Sequence, residues 1–166
     1  MTVKRAVTTL ASSEWEYSSK AMKLSTKGEY GLLALVDLAR HQDSGPVQVQ
    51  QIAERQGISK QYLDQLMLLL KKAGFVTSAR GRLGGYTLAR TAESITLLEV
   101  VTALEGPVEN VNFLAARTRR RNTARIALKD VWQTFNENSR TFLNSTTLAQ
   151  VCERCYAAES QVTYEI

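Results

Sequence analysis

The stretch VQVQQIAERQGISKQYLDQLMLLLKKAGFVTSARGRLGGYTLAR, residues Val47–Arg90, decides the fold of this chain. Three apolar residues in its first part follow the spacing of one side of a short helix: Val49, Ile52 and Ala53. Gly57 ends this helix, because glycine adopts a positive φ at low cost, and Ser59 is a favourable N-cap for a second helix. The pattern therefore predicts two helices joined by a turn of about three residues.

The second helix is predicted to be amphipathic. Its apolar residues recur every three or four positions and should face inward: Leu63, Leu66, Met67, Leu70 and Ala73. The opposite side carries Gln61, Asp64 and Gln65 near the N-terminus. Such a helix can enter the major groove of DNA, where glutamine pairs with adenine edges and aspartate accepts from the amine of cytosine. An ordinary helical hairpin with a hydrated polar side is the alternative.

A glycine-rich β-hairpin follows the second helix. Basic Lys71 and Lys72 close the helix, and Gly74 supplies its cap. Phe75 and Val76 begin a strand, the tip Arg80-Gly81-Arg82-Leu83-Gly84-Gly85 makes the turn, and Tyr86 and Leu88 lie on the returning strand. A tip with two arginines and three glycines can approach a duplex closely and place a guanidinium in the minor groove. We interpret the hairpin as a DNA-binding wing, with a plain structural hairpin as the alternative.

Several segments of the chain together are similar to one protein family. They are Met22–Tyr30, Ile52–Ser59, Tyr62–Leu66, Arg80-Gly81 and Gly84-Gly85-Tyr86. In order and spacing they resemble the winged helix-turn-helix of the Rrf2 family of bacterial transcription regulators, over about residues 22–151. The resemblance implies a homodimer that binds palindromic operator DNA, often with an iron–sulfur cluster or another cysteine-based sensor. It also implies that Lys27 can reach a phosphate, with a solvated lysine as the alternative.

The charge distribution agrees with a polyanionic partner. Residues 22–90 carry ten Lys and Arg against five acids, whereas residues 91–166 carry eight against nine. The positive charge is therefore concentrated in the predicted DNA-binding half. No run of 18 apolar residues occurs, so we expect no membrane association and a cytoplasmic protein.

The chain divides into four predicted parts. Residues 1–21 are expected to be a flexible N-terminal extension, since their short, Thr-broken apolar stretch is too weak for a signal peptide. Residues 22–106 form the winged helix-turn-helix domain. It begins with a helix from about Lys27 to Arg40 behind a Thr26–Glu29 capping box, and a Thr96–Glu99 capping box opens a short helix stopped by Gly106-Pro107.

Residues 107–123 are predicted to be a loop. In many members of the resembled family three cysteines here hold an iron–sulfur cluster, but this chain has none in the segment. Thiolates are the ligands that such a cluster requires. We therefore expect no cluster and no metal at this position. The arginines in the loop, at positions 117 and 119–121, favour a solvated segment over a contact with DNA or an acidic partner.

Residues 124–166 are predicted to form a dimerisation helix and a C-terminal segment. Apolar residues of the helix follow a repeat close to 3.5, interrupted at Asn138-Ser139: Leu128, Val131, Trp132, Phe135, Phe142 and Leu143. A small winged domain cannot cover so long a stripe, so we expect the same helix of a second chain to pack against it. Folding back onto its own domain is the alternative.

The two cysteines, Cys152 and Cys155, form a C-x-x-C motif in a short helix predicted from Thr147 to Cys155. Leu148 and Val151 lie at matching helical positions, so both thiols can be small buried hydrophobes. A redox-responsive pair, or a metal shared between subunits, are the other interpretations.

The sequence thus predicts a mostly α fold with a small β-hairpin wing, in which a winged helix-turn-helix domain is joined to a long dimerisation helix. We predict a dimeric transcription regulator rather than an enzyme. Base contacts are assigned to Ser59, Gln61, Asp64 and Gln65, minor-groove contacts to Arg80 and Arg82 flanking Gly81, and phosphate contacts to Lys27, Lys60, Lys71 and Lys72. The competing hypotheses are a winged helix that binds an acidic protein, and a thiol oxidoreductase, which lacks a βαβ context for its cysteines.

Overall fold

The computed structural model describes residues 24–81, 84–107 and 123–163, and these ranges form six α-helices and one β-hairpin. In chain order the elements are α1 (Thr26–Arg40), α2 (Val49–Gln56), α3 (Lys60–Lys72), β1 (Val76–Ala79), β2 (Gly85–Leu88), α4 (Leu97–Glu105), α5 (Thr123–Ser145) and α6 (Leu148–Thr163). The predicted fold class is confirmed. The N-terminal extension, Arg82 and most of the 107–123 loop lie outside the described residues.

Two helix starts test the capping predictions. At α4 the box is confirmed: Glu99 N donates to Thr96 Oγ1 at 3.2 Å, and Thr96 N donates to Glu99 Oε2 at 2.9 Å. At α1 the predicted Thr26–Glu29 box is wrong. The N-cap is Ser25, whose Oγ accepts from Gly28 N, so the helix begins one residue earlier than the box required.

One apolar core is shared by the helices and the hairpin. Its largest fully buried apolar side chains come from α1 to α4, the segment before α4, and the start of α6: Leu35, Leu38, Ile52, Leu63, Leu66, Met67, Leu70, Ile95, Val100 and Leu148. A Cβ at Gly31 of α1 would collide with Leu104 of α4. Glycine therefore allows these two helices to pack closely.

The hairpin is held to the helices by backbone pairing. β1 and β2 are antiparallel, with Val76 opposite Leu88 and Ala79 opposite Gly85. Val47, just before α2, pairs in turn with Tyr86 through two hydrogen bonds of 2.9 and 2.8 Å. A side chain at Gly85 would strike the Val47 backbone, which explains the glycine. This bridge, which was not predicted from the sequence, fixes the hairpin against the segment that precedes α2.

The C-terminal part of the chain forms two helices. Helix α5 is continuous through Asn138-Ser139, where only the apolar stripe was predicted to be interrupted, and it ends at Ser145. The helix predicted to end at Cys155 continues as α6 to Thr163.

The start of α6 is anchored to the rest of the chain. Thr96 and Thr147 form an antiparallel bridge, in which Leu97 N donates to Thr146 O and Leu148 N donates to Ile95 O, each at 2.9 Å. Farther along, Glu159 forms a 2.7 Å ion pair with Arg40 at the end of α1. In the part of the chain that the structure describes, no helix has both the length and the apolar content to cross a bilayer.

Candidate nucleic-acid interface

Helix α3 is held rigidly at its N-terminus. Gly57 has φ 64°, which permits the tight turn after α2, and Ser59 Oγ accepts a 3.3 Å hydrogen bond from Tyr62 N. The Tyr62 ring packs edge-on against Tyr30 of α1, with 5.9 Å between the centroids. The first turn of α3 is therefore fixed both by its cap and by an aromatic contact to α1.

The buried side of α3 determines which side chains project outward. Leu63, Leu66, Met67 and Leu70 are buried in the core. Gln61, Gln65 and Lys72 consequently lie exposed on the opposite side, with Asp64 beside them and partly exposed. This side offers amide donors and acceptors, a carboxylate and a cation along three turns of a single helix.

Two residues to which separate roles were assigned bind each other in the structure. Lys60 Nζ lies 2.6 Å from Asp64 Oδ2, one helical turn away, and both side chains are about half exposed. An exposed pair of this kind is weak, at about 0.3–0.5 kcal/mol. Each partner can therefore exchange the other for a phosphate or a base, but the carboxylate reduces the positive charge at the N-terminal end of α3.

The wing lies next to the C-terminal end of α3. Lys71 Nζ donates to Ser78 Oγ of β1 at 2.5 Å, so this lysine joins the helix to the hairpin. At the tip Arg80 is exposed. Gly81 has φ 108°, a backbone conformation that residues other than glycine rarely adopt. Arg82 lies outside the described residues. Lys27 lies in the first turn of α1 and is only partly exposed.

A buried carboxylate of α1 binds the C-terminal end of α2, the first helix of the helix-turn-helix. Asp37 of α1 is 1 % exposed and accepts hydrogen bonds from Arg55 Nε and Nη2 at 2.9 and 2.6 Å. Gln56 Nε2 donates to the same carboxylate at 3.0 Å. Burial alone raises the pKa of Asp37, but the hydrogen bonds from Arg55 and Gln56 and the guanidinium charge outweigh it, and the pKa lies below its usual range. The carboxylate is therefore charged at neutral pH.

This support was not predicted from the sequence. An aspartate in the middle of a helix and an arginine 18 positions later carry no local signal of contact. The one indication was the position of Asp37 between apolar residues on the inward side of α1, where an unpaired charge would be costly.

Helix α5 carries an apolar surface that the rest of the described chain leaves uncovered. Five of its large apolar side chains are exposed: Ile126, Leu128, Val131, Phe135 and Phe142. Four of them were predicted and Ile126 was not. Trp132 and Leu143, also assigned to the stripe, are partly buried, and Trp132 lies 5.7 Å from the ring of Phe135. Leu128, Val131, Phe135 and Phe142 lie within about 60° of one another around the helix axis, whereas Ile126 lies on the opposite side. We call these four residues the α5 apolar face.

The two cysteines occupy different environments on α6. Cys152 is buried, with Sγ 4.0 Å from Val36 O of α1, and burial raises the pKa of its thiol. Cys155 is only partly buried, and both are free thiols. Within residues 24–81, 84–107 and 123–163, no three His, Cys, Asp or Glu side chains come together as a metal site. The donor set of an iron–sulfur cluster is thus not found among them.

Comparison with known proteins finds a family model and relatives that match most of the chain. The family model described as "Rrf2: Iron-dependent Transcriptional regulator" matches residues 24–154. The HTH-type transcriptional regulator IscR of Yersinia enterocolitica is 38% identical over 130 residues, which cover 78% of this chain and 79% of the relative.

Solved structures are similar over the same region. The structure of T. potens IscR is 39% identical with a TM-score of 0.68, covering 82% of this chain and 90% of its own. The structure of CymR, the global cysteine regulator of B. subtilis, is 33% identical with a TM-score of 0.70, covering 80% of this chain and 98% of its own. The relatives are described as regulators of transcription and not as enzymes.

Proposed function

Since the chain belongs to the Rrf2 family of transcriptional regulators, we propose that it acts in the cytoplasm as a homodimer that binds palindromic operator DNA. The observation that carries the proposal is the outward side of α3, on which Gln61 and Gln65 are exposed over a fully buried apolar stripe. Helix-turn-helix proteins place a side of this kind in the major groove.

In this proposal the base edges are read from the first two turns of α3. Gln61 and Gln65 pair with adenine through their amides, Asp64 accepts from the amine of cytosine, and Ser59 contacts the edge nearest the turn. Phosphates are bound by Lys27, Lys60, Lys71 and Lys72. Because Lys60 is paired with Asp64 in the free protein, its phosphate contact requires that this weak ion pair open.

The wing is proposed to contact the neighbouring minor groove. Exposed Arg80 and Arg82, two residues farther along the sequence, supply the guanidinium groups. Gly81 between them lacks a side chain, which allows the backbone to approach the duplex closely. The Lys71–Ser78 hydrogen bond and the Val47–Tyr86 pairing hold the hairpin in a fixed orientation to α3. Both contacts favour a wing and a recognition helix that engage DNA as one rigid unit.

The α5 apolar face is proposed as the dimer interface. In a single chain its four large side chains are exposed to water, and pairing with a second copy buries them without a ligand. A two-fold axis through this interface would present two α3 helices to half-sites about one helical turn apart, roughly 34–36 Å. A palindromic operator follows from that symmetry.

We also propose that the protein works without an iron–sulfur cluster in the 107–123 loop. The loop contains no cysteine, and the two cysteines of the chain lie on α6, one of them buried against α1. The description of the family as iron-dependent makes a metal assay of the purified protein necessary.

The test uses the full chain purified without oxygen. A duplex is selected from a random pool, and binding is then measured by fluorescence anisotropy from 50 to 300 mM salt, with sedimentation and iron and sulfide analysis on the same sample. We expect a dimer, a palindromic consensus, a steep fall of affinity with salt and no stoichiometric iron. A monomer that binds no duplex at low salt would refute the function and favour an acidic protein partner. A brown, iron-containing protein would refute only the cluster-free proposal.

A further inference from the structure

An exposed leucine lies in the middle of the proposed DNA-reading side of α3. Leu68 is 61 % exposed, the largest fraction among the large apolar side chains of the described residues. At 3.6 residues per turn, it falls within about 60° of Gln61, Gln65 and Lys72 around the helix axis. The neighbouring Leu69 is also exposed, at 48 %, and lies nearer the edge of this side, about 40° from Gln65 but about 80° from Gln61 and about 100° from Leu68.

The surroundings of Leu68 restrict what can cover it. Gln65 and Lys72 lie one turn before and after it on the same side, and Lys71 lies close by. A cationic, amide-bearing surface matches a polyanion better than an apolar protein surface. A second copy of the chain already has a candidate partner surface in the α5 apolar face. The occupant must therefore be DNA that offers an apolar group among polar ones.

The major groove contains one such group, the 5-methyl of thymine. On the basis of the function proposed above, we propose that Leu68 is a specificity-determining residue that contacts a thymine methyl in each operator half-site. Gln61 and Gln65 read hydrogen-bonding edges, and Leu68 adds an apolar contact farther along the same groove.

The helix geometry also locates the thymine. Leu68 is three residues beyond Gln65, a rise of about 4.5 Å along the axis, whereas successive base pairs are about 3.4 Å apart. The contacted thymine should therefore lie one or two base pairs from the base that Gln65 reads. With a two-fold axis, the same thymine occurs once in each half-site.

Deoxyuridine provides the test, because it lacks only the 5-methyl group and keeps the pairing edge of thymine. Each thymine of the selected duplex is replaced in turn, symmetrically in both half-sites, and binding by the full-length protein is measured. Removal of one buried methyl per half-site should weaken binding about fourfold each, or roughly 16-fold together. We expect this loss at one symmetric pair of thymines near the Gln65 contact.

Two variants assign the effect to the side chain. Leu68→Ala should weaken binding to the thymine duplex by a similar factor and abolish the sensitivity to deoxyuridine at that pair. Leu69→Ala is the matched control, since it removes an exposed leucine from the same helix and should retain the full sensitivity. Circular dichroism and sedimentation of both variants should match the wild type.

The outcomes separate this inference from the function on which it rests. A wild type that binds the duplex but shows no symmetric deoxyuridine effect overturns the Leu68 contact alone, and so does a Leu68→Ala variant that keeps the effect. A wild type that selects no duplex overturns the proposed function together with this inference.

Discussion

Nη2 of Arg55 donates a 2.6 Å hydrogen bond to Oδ2 of Asp37, which joins the last turn of α2 to the buried side of α1. With the second bond from Nε to Oδ1, the guanidinium engages both carboxylate oxygens. Bidentate pairs of this kind fix orientation as well as distance. Helix α2 is therefore held to α1 by a polar contact at the edge of the apolar core, in which the carboxylate is buried and the guanidinium is partly exposed.

Asp37→Asn should destabilise the protein markedly. The variant keeps the shape of the side chain but removes its charge, and a hydrogen bond to a charged group contributes about 2 kcal/mol. Urea unfolding followed by circular dichroism measures the change in the free energy of unfolding. Glu159→Gln is the control, because its pair with Arg40 is more exposed and should contribute less than about 1 kcal/mol. Equal effects of the two variants would contradict the role of Asp37.

The stabilisation by Asp37 should depend on pH in a defined direction. Its pKa in the folded state is lowered, so the unfolded state takes up a proton first as the pH falls. The contribution is complete above the unfolded value of about 3.9 and disappears as the pH falls through the folded value. The difference in unfolding free energy between wild type and Asp37→Asn should thus be present at pH 7 and shrink below about pH 4.

A histidine close to Asp37 requires a control in that experiment. Nδ1 of His41 lies 3.7 Å from Asp37 Oδ2. Repeating the titration in a His41→Gln background removes its charge from the comparison. If the difference in unfolding free energy between wild type and Asp37→Asn grows below about pH 4, the predicted direction is wrong.

Val131→Asp should convert the proposed dimer into a folded monomer. Val131 is 57 % exposed in the single chain, so a carboxylate there leaves the core of the subunit intact but puts two like charges into the paired apolar faces. Sedimentation velocity at micromolar protein should show the change in mass. Gln133→Asp, on an exposed and different side of α5, should remain a dimer. A dimeric Val131→Asp protein would place the interface elsewhere.

Asp64→Ala should increase affinity for unrelated DNA while it relaxes base preference. Loss of the carboxylate removes the 2.6 Å pair that Lys60 must open before it contacts a phosphate, and it removes one negative charge per subunit from the outward side of α3. Because the number of phosphate contacts is unchanged, the slope of log affinity against log salt should stay the same. Arg80→Ala should act in the opposite direction, with weaker binding and a shallower slope. Salt titrations on the selected duplex and on a scrambled one distinguish the two effects.

The cysteines should differ strongly in reactivity. Cys155 is partly exposed, whereas Cys152 is buried and its pKa is raised by burial, so the thiolate needed for alkylation is scarce and inaccessible at pH 7.5. Iodoacetamide labelling followed by peptide mass spectrometry should give rapid modification of Cys155 and slow modification of Cys152. In urea the two rates should converge. Rapid labelling of Cys152 in the folded protein would contradict its packing against α1.

Local patterns accounted for most of the secondary structure. The Gly57–Ser59 turn, the Thr96 capping box and the inward Leu63, Leu66, Met67 and Leu70 of α3 each depend on neighbours within one or two helical turns, and they are confirmed. The prediction that Ala73 also faces inward is wrong, because this residue is the exposed C-cap that follows α3. The Ser25 cap was missed because Ser25 and Thr26 are both good N-caps and sequence alone does not choose between adjacent candidates.

Contacts between distant residues could not be predicted in the same way. The Asp37–Arg55 pair and the Val47–Tyr86 bridge arise from how the elements pack. The Lys60–Asp64 pair is local, and its i,i+4 spacing was a signal in the sequence that was not used. The helical spacing did place Leu70 inward and left Leu68 and Leu69 out of the inward set, which agrees with their exposure. A role for Leu68 on the outward side was not predicted, because an exposed leucine carries no local signal of what contacts it.

The bridge between Thr96 and Thr147 brings together the two ends of the segment that runs from residue 96 to residue 147. The free energy of closing such a loop rises by only about 0.6 kcal/mol for each doubling of its length. A link of a different length between Pro107 and Thr123 would therefore change the free energy of folding only slightly, and insertions or deletions there should leave α3 and the hairpin in place.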